Sequence, residues 1–222
     1  MKEDQSPLTM ADKRAHLAIM AHLEATGLPV LSEEGRDISY EERSAWKRFW
    51  MVDPLDGTKE FIKRNGEFTV NVALIEDGIP IAGVIYVPVR EELYVGAQDK
   101  VSLNELIDQG LKLPVINTER PYMVVGSRSH MSAKTEDFIA RLKSEHGEVD
   151  IVSMGSSLKI CLVAEGAADV YPRFAPTMEW DTAAGHGIAL GAGCQVMDVH
   201  TEAPMRYNKE DLLNHFFVVR RN

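Results

Sequence analysis

The sequence predicts a layered α/β fold in which an antiparallel-rich half precedes an alternating half. Residues 68–88 alternate between apolar and polar side chains around the pair Asp77-Gly78, a pattern typical of a β-hairpin. After about residue 120, short apolar runs alternate with helical patterns. We therefore divide the chain into an N-terminal half, residues 1–120, and a C-terminal half, residues 121–222, which together form one compact unit.

The first half begins with a predicted helix over residues 9–26. Ala15, Ile19 and Leu23 recur at helical spacing, and Gly27 ends the pattern. The segments that follow are a short apolar run at 28–35, a polar, partly helical excursion at 36–48, a strand from 49 that stops at Pro54 before a turn at Gly57, the hairpin, a third antiparallel strand at 92–98, and a less regular connection with one short helical pattern at 99–120.

The second half alternates between strands and helices. Ser132 is expected to cap a helix that runs to about Ser144, and a later helix is expected to begin at Asp181 and to end in the glycines at 191 and 193. The remaining predicted elements are strands at 122–127, 150–154, 168–173, 195–199 and 215–220, and a helix at 156–166.

Charge and composition exclude several classes of function. The chain has 222 residues with 24 basic and 34 acidic side chains, a net charge of −10, which disfavours binding to nucleic-acid polymers or to an anionic membrane surface. Cys161 and Cys194 lie in apolar surroundings, as buried reduced thiols do. No apolar run approaches a membrane span, and the N-terminus has no apolar segment typical of a signal peptide. We expect a cytoplasmic protein without an integral membrane segment.

Two carboxylates lie at the end of the predicted strand that begins at residue 49. Asp53 and Asp56 lie in VDPLDGT, where Pro54 and Gly57 force a turn that lets both acids converge on one point. Two close carboxylates repel unless a cation lies between them, and oxygen-only ligands favour Mg²⁺. The backbone amides around Gly57 and Thr58 would suit a phosphate oxygen. The alternative for such a pair is an Asx-rich surface turn.

Two further acidic groups strengthen the metal interpretation. Glu33 and Glu34 end an apolar run 20 residues before Asp53, and Asp181 opens a helix rich in small residues. Taken alone, Asp181 is more typical of an N-cap, and the two glutamates are more typical of a solvated pair. Three such groups in one chain favour a metal site over three unrelated surface features.

Three signatures carry a resemblance to a known family: SEE at 32–34, W-x-V-D-P-L-D-G-T at 50–58 and W-D-T-A-A-G at 180–185. In their order and spacing the sequence resembles the lithium-sensitive, magnesium-dependent phosphatases related to inositol monophosphatase, over nearly the whole chain. The string DPLDGTKEFIKRNGEFTVN is similar to the CysQ-type branch, the 3′(2′),5′-bisphosphate nucleotidases. The resemblance implies the α-β-α-β-α sandwich of the sugar phosphatases, a metal-binding first half and a second half that selects the substrate.

The resemblance also implies roles for individual residues. Glu33, Asp53 and the backbone carbonyl of Leu55 would hold one Mg²⁺, and Asp53, Asp56 and Asp181 a second; a weaker third ion is usual in the family. Glu34 would support these ligands. Thr58 would position the attacking water, and Asp12 would accept its proton, although an acid in the first turn of a helix also complements the helix dipole. The expected substrate-binding residues are Gly57, Thr58, Lys59, Ser127, His130, Ser156, Ser157, Lys159 and Arg173.

The implied reaction is the removal of the 3′-phosphate from adenosine 3′,5′-bisphosphate, and also from 3′-phosphoadenylyl sulfate, in sulfur assimilation. The expected partner is thus a small bisphosphorylated nucleotide. We expect the protein to be a monomer or a homodimer. The resemblance would also allow a peripheral location at the inner face of the membrane. Members of the family carry a long helix before the S-P-L-T segment, and only five residues precede it here. We expect lower stability and weaker activity as a result. The alternatives are an inositol or sugar phosphatase, and an inactive metal- or nucleotide-binding protein.

Overall fold

Two β-sheets and six helices make up the part of the chain that the structure describes. The structure is a computed structural model, and it describes residues 9–97, 100–103, 111–117, 119–126 and 131–221. The helices are α1 (Met10–Leu23), α2 (Tyr40–Arg43), α3 (Thr58–Lys63), α4 (Ala133–His146), α5 (Leu158–Glu165) and α6 (Glu179–Gly191), with a 3₁₀ turn at Glu24–Thr26.

The first sheet has seven strands in chain order. They are β1 (Val30–Ser32), β2 (Arg48–Asp56), β3 (Thr69–Glu76), β4 (Ile79–Val87), β5 (Glu92–Ala97), β6 (Lys100–Leu103) and β7 (Leu111–Lys112). Among the strand pairs that the structure describes in this sheet, β1–β2 is parallel and the others are antiparallel. The predicted hairpin joins β3 to β4, and both of its turn residues, Asp77 and Gly78, have positive φ, at 48° and 76°.

The second sheet has six strands in the order β12-β11-β13-β10-β8-β9. They are β8 (Tyr122–Gly126), β9 (Val149–Ser153), β10 (Val170–Arg173), β11 (Cys194–Asp198), β12 (Ala203–Pro204) and β13 (Phe217–Arg221). Strands β8, β9 and β10 pair in parallel, and β13 lies antiparallel between β10 and β11.

Side chains alternate between the two faces of each sheet, and their packing partners show which helices cover each face. In the second sheet, Val124 and Val170 pack with α4, whereas their chain neighbours Val125 and Tyr171 belong to the central core with α5 and α6. In the first sheet, Gly83 faces α6, while Trp50 donates its indole N–H to Thr26 beyond α1 at 3.0 Å. The order is α1, sheet, α5 and α6, sheet, α4, which confirms the predicted layered fold.

Several predicted boundaries were wrong. Strand β2 does not stop at Pro54: it continues to Asp56 through a register shift between Asp53 and Asp56, where proline is tolerated because no ladder hydrogen bond is needed. The described parts of 99–120 include strands β6 and β7, which extend the first sheet. Helix α6 begins at Glu179 rather than at Asp181.

The remaining expectations concern thiols and membrane spans. Cys161 and Cys194 are buried and unpaired to each other, as predicted. Among the residues that the structure describes, no helix combines the length and the apolar character needed to cross a membrane.

Candidate active site

Strand β2 delivers two acids to the space between the sheets. Asp53 lies two residues after the buried Met51, and alternate residues of a strand point to the same face of the sheet. Asp53 therefore faces the α6 side, and it is 1% exposed. The register pairs Asp53 with Asn71 and Asp56 with Thr69, which leaves Pro54 and Leu55 outside the ladder. The N–H of Leu55 donates to Asp53 Oδ1 at 3.0 Å, and this contact fixes the carboxylate. The irregularity therefore turns both acids toward one point.

Glu33 reaches the same region through parallel pairing. Ser32 pairs with Val52, and the N–H of Glu33 continues the ladder by donating to the Val52 carbonyl at 3.0 Å. Glu33 thus lies beside the residue that precedes Asp53. Its charge is close enough to raise the pKa of Asp53.

Asp181 comes from the first turn of α6. The N-cap is Met178, so Asp181 is the third helical residue and not the N-cap itself. Its Oδ2 accepts the N–H of Met178 at 2.7 Å, which places a carboxylate at the positive end of the helix dipole.

Asp53, Asp56 and Asp181 form an acidic cluster. Each offers one carboxylate oxygen, and these oxygens lie within 4.8 Å of one another. Three anionic oxygens at this separation are a donor set suited to a hard divalent cation. The donor chemistry therefore fits the metal dependence of the family that the signatures resemble.

The pKa values of the three carboxylates are all raised, as expected for buried acids that lie close together. Burial, with the charges of Glu33, Asp56 and Asp181, holds the pKa of Asp53 well above its usual range. Burial raises the pKa of Asp56 to about 6, although Lys159 opposes the shift. Burial and the charge of Asp56 raise the pKa of Asp181 to about 8. These carboxylates repel one another when no cation is bound, so a cation would relieve the repulsion.

A cavity of about 460 Å³ opens directly beside the acidic cluster. Asp56 and Asp181 lie in its wall, together with three cationic side chains, Lys63, Lys159 and Arg173. The other lining residues are Gly57, Glu60, Asn65, Met154, Gly155, Ser156, Ser157, Ile160, Tyr171, Thr177, Thr182 and Phe217. The pocket therefore combines a candidate cation site with fixed positive charge.

Lys159 and Arg173, both predicted to bind substrate, line the cavity. The Lys159 ammonium donates to the Ser156 carbonyl at 2.8 Å, and burial lowers its pKa to about 8 despite attraction to Asp56. Arg173 donates through Nη2 to the Pro176 carbonyl at 2.9 Å, and its Nε is buried without a hydrogen-bond partner among the described residues.

Ser156 and Ser157 differ in what they offer a ligand. Ser156 lines the cavity with a positive φ of 45°. The N–H of Ser157 already donates to Asp56 at 2.5 Å, and its hydroxyl donates to Asn71 at 2.9 Å. The predicted use of Ser157 as a phosphate ligand is therefore not supported, because both of its donors already bond within the protein.

Of the predicted substrate-binding residues around the turn after β2, some line the cavity and others do not. Gly57 lines the cavity with φ at 89°, and Thr58 begins α3 and is 9% exposed. Lys59 is exposed and does not line the cavity, whereas Lys63, one helical turn later, does. The sequence-based assignment of Lys59 thus finds its geometric counterpart in Lys63. Ser127 and His130 lie outside the described residues.

Asp12 is fully buried in the first turn of α1. It accepts the N–H of Thr9 at 2.9 Å and the Thr9 hydroxyl, and this pair forms a capping box. One turn later, His16 bonds Ser32, the residue before Glu33, at 2.9 Å. The structure thus fixes Asp12 on the helix face that meets β1, and Glu34 follows in the turn after that strand.

Sequence reasoning missed the residues that brace the site. Thr69 and Asn71 hold Ser157, and Tyr171 lines the cavity beside Arg173. The alternating pattern of the hairpin could have identified Thr69 and Asn71, because it places polar residues on its buried face. Asn71 is buried and lies on the face of the sheet that carries Asp53. His186, on α6, is buried and bonds the Tyr207 hydroxyl at 3.1 Å, and burial lowers its pKa to about 3.

Comparison with known proteins gives consistent matches. A model of the inositol monophosphatase family matches residues 1–220. The chain is 50% identical over 221 residues to the 3′(2′),5′-bisphosphate nucleotidase CysQ of Shigella flexneri, covering 98% of this chain and 87% of that protein. It is 49% identical over 222 residues to the protein of the same name from Escherichia coli K12, with the same coverage.

Solved structures agree. The crystal structure of CysQ from Bacteroides thetaiotaomicron, described as a bacterial member of the inositol monophosphatase family, matches with a TM-score of 0.91 at 52% identity. The match covers 99% of this chain and 86% of that one. A staphylococcal IMPase-I complexed with products shares the fold, with a TM-score of 0.74 at 18% identity. On the family model and these relatives, the chain belongs to the inositol monophosphatase family.

Proposed function

We propose that this protein is a Mg²⁺-dependent 3′(2′),5′-bisphosphate nucleotidase. It would hydrolyse the 3′-phosphate of adenosine 3′,5′-bisphosphate to give AMP and phosphate, and it would act on 3′-phosphoadenylyl sulfate in the same way, in the service of sulfur assimilation. Relatives that carry this activity in their name share about half of the residues over nearly the full chain.

One observation carries the proposal: two acids of the cluster, Asp56 and Asp181, and three cationic side chains line one cavity. A substrate with a single phosphate needs charge compensation only at the reacting phosphorus. The cavity offers further positive charge from Lys63, Lys159 and Arg173. This distribution suits a small molecule with two separate anionic groups, one reacting and one held in place.

The acids present fit Mg²⁺. Asp53, Asp56 and Asp181 would hold the ions together with Glu33 and the Leu55 carbonyl, with Glu34 in support, for two or three ions in all. Oxygen-only donors favour Mg²⁺ over zinc or copper. When bound, Mg²⁺ would compensate the charge that develops on the transferring phosphoryl group and favour ionisation of the attacking water.

The chain's own residues would orient the water and remove its proton. Thr58 would hold the water through its hydroxyl, and Asp12 would take up the proton as the water oxygen bonds to phosphorus. The ester P–O bond then breaks, and the leaving 3′-oxygen gains a proton from solvent. The capping contacts of Asp12 with Thr9 hold its carboxylate in one orientation, which limits reorganisation during the transfer.

The second phosphate would be held by the cationic wall. Arg173 would donate to it through the buried Nε that has no other partner among the described residues. Lys159 and Ser156 would add charge and a hydroxyl group, and the amides near Gly57 would face the reacting phosphate.

The test is phosphate release from a substrate panel. We expect the purified protein to hydrolyse adenosine 3′,5′-bisphosphate with Mg²⁺, to prefer it over inositol 1-phosphate, and to be suppressed by Li⁺. Asp53→Asn should abolish release, whereas Asp198→Asn, which changes a buried acid outside the cavity, should retain it.

Two outcomes would contradict the proposal. Preference for inositol 1-phosphate would identify an inositol phosphatase on the same metal site. Equal inactivity of the wild type and of Asp53→Asn, on all substrates, would indicate a protein that binds metal or nucleotide without catalysis.

A further inference from the structure

A loop outside α6, residues 206–214, holds the turn that carries Asp181. Asn214 lies at the end of this loop and is 5% exposed. Its side-chain amide donates to the Met178 carbonyl at 2.7 Å, to the Thr182 hydroxyl at 3.1 Å and to the Thr177 hydroxyl at 3.3 Å. Its backbone N–H donates to the Thr177 carbonyl at 2.8 Å. One buried side chain thus bonds residues on both sides of Asp181.

Glu179 provides a second attachment between the same loop and α6. This glutamate is fully buried, and its carboxylate accepts the N–H of Asn208 at 2.6 Å and the N–H of Lys209 at 3.1 Å. It also forms an ion pair with the Lys209 ammonium. A buried charge is tolerated only when it is paired and hydrogen-bonded, so these contacts constrain the loop strongly.

Arg43, at the end of α2, fixes the far side of the loop. It is 3% exposed and donates to the side chain of Asn208 at 3.0 Å, to the Lys209 carbonyl at 2.5 Å and to the Glu210 carbonyl at 2.7 Å. The loop is therefore bonded to α2 on one side and to α6 on the other.

We infer that Asn214 is a positioning residue for the carboxylate of Asp181. Met178 connects the two, because its carbonyl accepts from Asn214 while its N–H donates to Asp181 Oδ2 at 2.7 Å. Loss of the Asn214 amide would free the peptide units that fix this carboxylate. The inference rests on the proposed function, in which Asp181 holds a metal ion. Removing residues that orient metal ligands typically weakens metal binding about 10- to 100-fold.

The test measures metal binding without substrate. Mn²⁺ is titrated calorimetrically into the wild type and into Asn214→Leu, a change of similar volume that removes the three bonds of the side-chain amide and keeps the backbone bond to Thr177. We expect Asn214→Leu to weaken Mn²⁺ binding by about ten-fold. Asp198→Leu is the matched control, because Asp198 is a buried side chain that bonds His200, Thr201 and His215, none of which lines the cavity. It should lower the melting temperature without changing the Mn²⁺ affinity.

Lys209→Met keeps the inference falsifiable if Asn214→Leu does not fold. The Lys209 ammonium contacts Glu179 and, at 3.5 Å, the side-chain oxygen of Asn214, and its side chain is 26% exposed. We expect weaker Mn²⁺ binding here too, by about three-fold, a loss smaller than the range for direct partners of metal ligands.

Unchanged Mn²⁺ affinity in the folded Asn214 or Lys209 variant would overturn this inference but would leave the proposed metal site intact. Equal weakening by Asp198→Leu would also overturn it, since general destabilisation would then explain the effect. Absence of Mn²⁺ binding by the wild type would overturn both this inference and the proposed metal site.

Discussion

The backbone N–H of Ser157 donates to the carboxylate of Asp56 at 2.5 Å, and this bond joins the end of β2 to the start of α5. The bond connects the two halves of the chain at the candidate active site. The side chain of Ser157 strengthens the junction through Asn71 and Thr69, both on β3. Asp56 therefore has two functions in the proposed mechanism, as a ligand and as the residue that aligns the cavity wall.

Gly57→Ala should disturb this junction. Gly57 has φ at 89°, and a Cβ there would lie 3.3 Å from both the Glu67 carbonyl oxygen and the Ser156 Cβ. An alanine in the left-handed region costs about 1–2 kcal/mol of stability. We expect Gly57→Ala to lower the free energy of unfolding by at least this amount and also to weaken Mg²⁺-dependent phosphate release.

Gly27→Ala is the control for that prediction. Gly27 also has a positive φ, 70°, but a Cβ there would meet nothing within 4 Å. Its stability loss, measured by urea unfolding, should be similar while its activity stays at the wild-type level. Equal activity losses in both variants would indicate that backbone strain alone, and not the position of Ser156, governs the effect.

Local patterns in the sequence predicted the acids, but not the contacts that hold them. The DPLDGT turn and the strand before it identified Asp53 and Asp56, because proline and glycine restrict the chain over a few residues. Whether Asp181 joins them depends on the packing of α6 against the first sheet. No short-range pattern encodes that packing, and the family signatures supplied the link instead.

The features that sequence reasoning missed depend on long-range contacts. Pro54 suggested the end of a strand, yet β2 continues because the bulge removes the need for a ladder bond there. Lys59 and Lys63 are equivalent by type, and only the orientation of α3 shows which of them faces the cavity. Glu179 carried no signal because its partners, Asn208 and Lys209, lie in an irregular loop.

Gly83→Ala should destabilise the packing of α6 on the first sheet. A Cβ at Gly83 would lie 2.0 Å from the Ala184 carbonyl oxygen, and backbone cannot move aside as a flexible side chain can. We expect a loss of about 3 kcal/mol in the free energy of unfolding, at the upper end of overpacking effects. Denaturant titration measures it.

Gly126→Ala is the matched control. Gly126 is also a strand glycine, but its added Cβ would first meet the Ile151 side chain, 2.8 Å away and 43% exposed. The clashing atom belongs to a half-exposed side chain and not to backbone, so it can shift toward solvent, and we expect a smaller loss of about 1 kcal/mol. Similar losses in both variants would mean that the helix–sheet contact at Ala184 yields more easily than its geometry indicates.

Lys63→Ala should weaken binding of the second phosphate. Lys63 lines the cavity and Lys59 does not, although both are exposed residues of α3. We expect KM for adenosine 3′,5′-bisphosphate to rise about ten-fold in Lys63→Ala, as for loss of one charged hydrogen bond, with kcat nearly unchanged. Lys59→Ala should leave KM close to the wild-type value. A larger effect at Lys59 would restore the assignment made from the sequence.

The metal-free protein should become less stable as the pH rises from about 5 to about 8. The pKa of Asp56 is raised to about 6 and that of Asp181 to about 8, so in this range the folded state binds more protons than the unfolded state, whose aspartates titrate near 4. Stability therefore falls as the pH rises through these values. Two groups with lowered pKa values oppose this trend without reversing it: His186, at about 3, acts below about pH 6.5, and Lys159, at about 8, acts at the upper end of the range.

Mg²⁺ should remove this pH dependence, whereas Asp181→Asn should only reduce it, because the raised pKa of Asp56 is caused mainly by burial. Bound Mg²⁺ favours the ionised carboxylates, so the melting temperature at pH 8 should rise with Mg²⁺ concentration. Asp181→Asn removes one of the repelling charges, so the metal-free variant should melt above the metal-free wild type at pH 8 and gain little from Mg²⁺. If the wild type kept a constant melting temperature across this pH range, with and without Mg²⁺, the three aspartates would not form the repulsive cluster that their 4.8 Å separation indicates.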